Sequence, residues 1–155
     1  MHEPVLLRDT MDMLNVRNGG TYVDSTVGLG GHSSALLELL DEGRLIGIDR
    51  DDAALANASG RLGNGRVILR KGSFSKIEDI LTSLQINEID GVLFDLGVSM
   101  LQLKDYSRGF SFSSQETLDM RMDVSQQLSA WDIVNTYPEK ELEKILREFG
   151  EEPFA

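Results

Sequence analysis

Cysteine is absent from the 155 residues. That excludes disulfides, thiolate metal sites and a cysteine nucleophile within the chain, and it agrees with a cytoplasmic setting. No apolar run approaches the roughly 18 residues that a membrane-spanning helix needs. The opening "MHEPVLLRDT" lacks a basic stretch leading into an apolar one, so no secretion signal is expected. No metal site is expected either. Positive charge is scarce as well: 15 Lys and Arg stand against 26 Asp and Glu, a net charge of −11. A protein that coats nucleic acid non-specifically needs clustered cations, so the balance argues against that class.

What remains is ordinary for a globular domain, with 41% hydrophobic and 26% charged residues. The length suits one domain with a real core. The few cations are unevenly placed. Arg61, Arg66, Arg70, Lys71 and Lys76 fall within "RLGNGRVILRKGSFSK", which holds no acid. Two readings fit this segment, a solvated strand edge beside a helix end or a patch that touches phosphate.

Hydrophobic patterning alternates along the first two thirds of the chain. An amphipathic segment, Leu6 to Leu14, precedes a strand at Tyr22–Ser25 and a helix from about Gly31 to Leu40. "RLIGID" reads as a buried strand, and "DDAALANASGRL" as a helix whose first turn carries acids, which suits the helix dipole. "RVILR" is a third strand, "SFSKIEDILTSL" a helix opened by a capping serine, and "DGVLFDLG" a fourth strand. This order predicts a parallel sheet with helices on both faces. Residues 96 to 127 lack periodicity and read as a long functional or disordered loop. Two helices follow: "SAWDIVNTY" from a Ser129 cap, and "PEKELEKILREFG" with Pro138 in its first turn. In the latter, Leu142, Ile145, Leu146 and Phe149 form an apolar stripe expected to be core or a helix–helix contact.

The chemistry concentrates at two strand ends. In "VDSTVGLGGHS" a strand ends at Asp24, and Gly28, Gly30 and Gly31 then build a tight turn into a helix. Glycines let the backbone approach a ligand, and free N–H groups at the helix start favour polar groups there. Asp49, at the end of the second strand, sits where an acid accepts both ribose hydroxyls. The pattern points to an adenosine-type cofactor. A dinucleotide site wants G-x-G-x-x-G, and the chain has Ser33 at the last position. An acid ahead of the glycines, as Asp24 is, gains nothing for hydride transfer but suits S-adenosylmethionine, whose amino-acid end it meets. Methyl transfer is therefore favoured over a nicotinamide-dependent oxidoreductase.

Asp95 ends the fourth strand, and in an open α/β sheet chemistry gathers beyond such ends. Methylation of a pyrimidine at carbon 5 needs a cysteine, which is absent. An exocyclic amine can attack a sulfonium methyl directly if an acceptor draws its lone pair out of the ring. Asp95 can be that acceptor, acting by position and electrostatics. It can also simply cap the turn that follows.

Four stretches together resemble one family: "HEPVLL", "DSTVGLGGHS", "DGVLFDLGVS" with "QL" after it, and "RGFSF…LDMRMD" at 108–123. They are similar to the ribosomal RNA small-subunit methyltransferase H family from His2 to the final "GEEPFA". The resemblance implies an enzyme that uses S-adenosylmethionine to methylate the exocyclic N4 amine of a cytosine in the decoding region of 16S rRNA. Carried over by position, cofactor contacts fall on Gly30, Gly31, His32, Asp49, Phe74, Asp95 and Gln102. Phe74 would cover adenine, or else belong to the core. His32 would start the helix against the cofactor, or else bond to backbone. No role follows for His2 or Pro4.

Within "RGFSF…LDMRMD", Arg108 and Arg121 can meet phosphate while Phe110 and Phe112 stack on a flipped base. Alternatively the segment is a lid with its phenylalanines packed beneath. The chain departs from the family pattern at Met100, at Lys104 and at the "ET" before "LDMRMD". The expected fold is α/β, a Rossmann-like class I S-adenosylmethionine-dependent methyltransferase sheet, incomplete. Residues 1–107 would form the cofactor-binding core and 108–155 the start of a helical substrate-recognition insertion. Members of the family are about twice as long, so a fragment is expected, including one that binds cofactor without turnover. Its fourth strand would be an unpaired edge through which copies associate. The expected partner is 16S rRNA within the small ribosomal subunit, with no membrane.

Overall fold

The structure, a computed structural model, describes residues 4–63 and 65–155, so His2 lies outside the described residues. The chain divides into two compact units, residues up to 99 and residues from 100 onward. The division expected from the sequence lies at 107/108.

In the first unit, β1 (Thr21–Asp24), β2 (Arg44–Asp49), β3 (Val67–Lys71) and β4 (Gly91–Leu93) form one sheet in the order β3-β2-β1-β4. Every pairing is parallel, with Val23 opposite Ile46 on one side and Val92 on the other. Helices α1 (Leu7–Leu14), α2 (Gly31–Leu39) and α3 (Asp52–Leu62) contribute to one face, and α4 (Ile77–Ser83) covers the other. The parallel sheet flanked on both faces was legible in the alternating pattern.

Strand alternation explains the two cores. Tyr22 and Leu45 point one way and pack with Met11, Leu36, Leu37, Ala58 and Leu62. Val23, Ile46 and Ile48 point the other way, toward Ile77, Ile80 and Leu81. β1 and β2 are buried because each has a neighbour on both sides. β4 is an edge strand, and Val92 is 37% exposed where Ile46 is fully buried. Asp51 caps α3 by accepting from the Ala53 N–H, so the acid pair there serves the helix start. Arg66 donates to the Leu40 and Asp41 carbonyls beyond the end of α2, and Lys71 pairs with Asp52. These two cations of the basic segment are spent on the fold rather than offered to phosphate.

One buried acid fixes where β1 hands over to α2. Asp24 accepts from the Thr26 N–H at 3.1 Å and from the Ser33 hydroxyl at 2.5 Å. Burial raises its pKa above the usual carboxylate range, and the hydrogen bonds from Ser33 and Thr26 only partly offset this.

In the second unit, α5 (Met100–Lys104) and a single 3-10 turn at Tyr106–Arg108 lie inside the stretch read as structureless. They are too short to show periodicity. The remainder to residue 128 is irregular, and α6 (Ala130–Thr136) and α7 (Glu139–Gly150) follow. Ser129 and Asp132 form a reciprocal capping box on α6. The apolar stripe of α7 is not core: α7 has no buried residue, and Phe149 is 81% exposed. A unit this small has too little surface of its own to cover two amphipathic helices.

Two outcomes test this packing. Ile46→Ala should cost about 2–5 kcal/mol in urea unfolding, against less than about 1 kcal/mol for the edge substitution Val92→Ala. Asp24, with its folded pKa raised, contributes stability that is complete below the unfolded carboxylate value of ~4 and is lost as pH rises through the folded value. Melting curves of Asp24→Asn should therefore improve relative to the parent chain as pH rises from ~4 toward neutrality.

Candidate functional site at the carboxyl ends of the strands

The strand order reverses at β1: the chain adds β2 and β3 on one side and returns to place β4 on the other. Ligands of open α/β sheets bind at such a point, beyond the carboxyl ends. The turn from β1 to α2 occupies it. Gly28 and Gly30 both adopt left-handed backbone, with φ of 52° and 74°, which side chains rarely accept. The Val27 N–H donates to the Ile48 carbonyl and the Gly30 N–H to the Val27 carbonyl. The turn is thereby tied to the end of β2.

Two acids flank it. Asp49 Oδ2 accepts from the Gly28 N–H at 2.8 Å, and its Oδ1 accepts from the Asp51 N–H at 3.0 Å. Each oxygen of a carboxylate has a further lone pair, so two hydroxyls can still be accepted. On the β4 side, the Ser25 N–H donates to the Leu93 carbonyl, and the Asp95 N–H donates to Thr26 Oγ1 at 2.7 Å. The Asp95 side chain is 43% exposed. One turn thus carries Asp49 on one flank and Asp95 on the other.

The remaining expected residues divide. His32 is buried near the start of α2, with Nε2 donating to the Val5 carbonyl at 2.9 Å and Nδ1 lying 3.6 Å from Asp95 Oδ2. Of its two readings, the bond to backbone is present. Phe74 is 37% exposed and therefore outside the core. The Arg50 guanidinium lies 5.9 Å over its ring, and Phe94 meets it edge-on at 5.9 Å. Asp24 is the expected cofactor contact whose carboxylate is wholly enclosed. Gln102 is buried on α5 in the second unit.

The residues expected to meet RNA all belong to the second unit. Arg108 donates to the Arg121 and Met122 carbonyls. Arg121 forms a paired contact with Asp119 and donates to the Val124 and Gln126 carbonyls. Both guanidinium groups brace their own loop. Asp119, beside Arg121, is held below the usual carboxylate range by that contact. Phe110 is half-buried, and Phe112 is fully exposed.

Sequence reasoning missed Ser25 and Thr26. Thr26 orients the backbone of Asp95, and the hydroxyl of Ser25 is buried without a hydrogen-bond partner among the described residues. A signal was present, since both follow the strand-end acid directly, but neither residue type is diagnostic. An adenosine cofactor fits this donor set. Asp49 retains acceptor capacity, the Ser25 hydroxyl lacks a partner among the described residues, and a Cβ placed on Gly28 would meet nothing closer than 3.9 Å. Among the described residues no cluster of three or more His, Asp or Glu is placed to hold a metal ion, and no helix is long and apolar enough to cross a membrane.

Comparison with known proteins gives this site its context. A protein from Persephonella marina called ribosomal RNA small subunit methyltransferase H is 52% identical over 99% of this chain and 53% of its own length. The protein of the same name from Brevibacillus brevis is 50% identical over 99% of this chain and 50% of its own length. The chain therefore spans about half the length of the curated relatives it matches. A Clostridium thermocellum crystal structure, provisionally described as an rRNA-methylase, superposes with a TM-score of 0.53 at 28% identity. It covers 64% of this chain and 55% of the other. The family match extends over residues 1–155 and is to methylases, which supports S-adenosylmethionine as the cofactor. The chain belongs to the MraW methylase family.

Proposed function

We propose that this chain forms the cofactor-binding part of an S-adenosylmethionine-dependent methyltransferase whose substrate is the N4 amine of a cytosine in the decoding region of 16S rRNA. The observation that carries the reading is the single glycine turn held between Asp49 and Asp95. On this reading the turn is a cofactor cradle, with Asp49 its ribose-binding acid and Asp95 its reaction acid. The names of the relatives support ribosomal RNA as the substrate.

In this reading Asp49 accepts the ribose hydroxyls, and the backbone of Gly30, Gly31 and His32 borders the amino-acid end. Phe74 bounds adenine, while Asp24 holds the turn in shape from below. S-adenosylmethionine supplies a methyl group made electrophilic by its sulfonium. The chain's own contribution is at Asp95, whose carboxylate accepts a hydrogen bond from the exocyclic amine and draws the nitrogen lone pair out of conjugation. As the N–C bond forms and the C–S bond breaks, the amine's surplus proton is held at Asp95. A carboxylate beside the amine suits this chemistry, and no cysteine is required.

The domain division belongs to the same proposal, with residues 1–107 as core and 108–155 opening a helical part that faces RNA. There the two arginines shape a loop that presents the exposed Phe112 ring for stacking on a base. The protein acts on the assembled small subunit in the cytoplasm, which its net charge of −11 suits better than a grip on naked RNA.

Calorimetry should show S-adenosylhomocysteine binding to the chain and no displacement by NADH. Asp49→Ala should weaken that binding by about 10- to 100-fold, the loss of hydrogen bonds to a charged acceptor. Asp95→Asn should retain binding and slow transfer of labelled methyl to unmodified small subunits by about 100-fold or more. Cofactor binding with no label in the RNA would make the chain a binding fragment. Full transfer by Asp95→Asn would remove Asp95 from the chemistry.

A further inference from the structure

One bond at the end of β4 departs from the ladder that precedes it. β1 and β4 pair in parallel, with Val23 opposite Val92 and Asp24 opposite Leu93. In a parallel ladder a residue donates to the one before its opposite number and accepts from the one after it. Ser25 obeys the first half of this rule, its N–H donating to the Leu93 carbonyl at 2.9 Å. The same register would next send the Asp95 N–H to the Ser25 carbonyl. It goes instead to Thr26 Oγ1, at 2.7 Å. A side-chain hydroxyl thus stands in for a backbone carbonyl, two residues past the end of β4 at Leu93.

Thr26 is built to hold that place. Its own N–H donates to the enclosed carboxylate of Asp24 at 3.1 Å, and the N–H of Val27 donates to the Ile48 carbonyl at 3.1 Å. The backbone on either side of the hydroxyl is therefore tied to the end of β1 and to β2. Branching at Cβ restricts rotation of the side chain, so the hydroxyl oxygen is a stiff acceptor. A bond to the Ser25 carbonyl would continue β4 along the sheet. The bond to Thr26 fastens the Asp95 backbone to the glycine turn, and the Asp95 side chain is left 43% exposed.

We infer that Thr26 is the positioning residue for Asp95: by accepting the Asp95 N–H in place of the Ser25 carbonyl, it takes the acid off the sheet ladder and aims its carboxylate at the amine to be methylated. This rests on the reading of Asp95 as the acceptor for that amine. The hold on the Asp95 backbone does not, and can be measured without turnover.

Two substitutions in the whole chain test it. Thr26→Val keeps the branched shape and the backbone N–H on Asp24 but removes the acceptor, whereas Thr26→Ser keeps the acceptor. With the chain labelled with 15N, hydrogen exchange of the Asp95 amide should be about tenfold faster in Thr26→Val than in the parent, and that of the Ser25 amide unchanged. Transfer of labelled methyl to unmodified small subunits should fall by about tenfold in Thr26→Val, with S-adenosylhomocysteine affinity within about threefold of the parent. Thr26→Ser should bring both exchange and transfer back to within about threefold of the parent.

An Asp95 amide that exchanges alike in Thr26→Val and the parent overturns the proposal, because the ladder would then hold Asp95 without the hydroxyl. A transfer rate indifferent to Thr26→Val overturns it as well. So does a loss of S-adenosylhomocysteine affinity as large as the loss of rate, which would make Thr26 a part of the cradle and not of the aim. Absence of transfer in the parent chain counts against the functional reading alone, since amide exchange still decides the hold.

Discussion

The site depends on the burial of Asp24. A carboxylate taken out of water at the end of β1 must find hydrogen-bond donors, and here it takes the Thr26 N–H and the Ser33 hydroxyl. The Thr26 bond holds the start of the turn, and the Ser33 bond reaches across it to fasten the end of a strand to the first turn of a helix. With both ends held, the intervening glycines can adopt left-handed backbone without the loop wandering. Asp49, Asp95 and His32 each find their place relative to that loop. The acid first read as a ligand contact is thus better understood as the post to which the cradle is tied.

From this post the site is assembled by backbone as much as by side chains. Asp49 reaches the loop through the Gly28 N–H, and Asp95 through its own N–H on Thr26. Sheet order makes both contacts available, because β1 lies between β2 and β4. A strand order with β4 elsewhere would leave the same residues in the chain but not on one turn. The second unit is organised differently. Its irregular loop is braced by Arg108 and Arg121 on backbone carbonyls, a use of guanidinium groups that supplies shape where secondary structure does not.

Much of the fold was legible because β1 and β2 are buried on both faces and read as short apolar runs between helical segments. The edge position of β4 was expected from the family resemblance and not from this pattern. Legibility failed where elements are short or where burial depends on neighbours. α5 spans too few residues to show a period, and the α7 stripe looks like core although none of it is buried and Leu146 and Phe149 lie exposed. The site was partly legible: Gly28, Gly30, Asp49 and Asp95 stand out by residue type at strand ends. Ser25, Thr26 and the Val5 carbonyl do not, since serine, threonine and backbone oxygen carry no signal until something folds against them.

By itself the sequence determined the residue types, the alternating hydrophobic pattern and the placement of acids and glycines at strand ends. Local periodicity encodes all of these, and a methylase family is readable in them. Only the tertiary structure decided which acid is enclosed and which is open. Asp24 ends β1 and Asp95 follows the neighbouring β4 by two residues, with the same side-chain chemistry. One is buried under the first turn of α2, and the other stands at the edge of the sheet beside a histidine. Burial is a property of what packs around a group, and no spacing along the chain reports it.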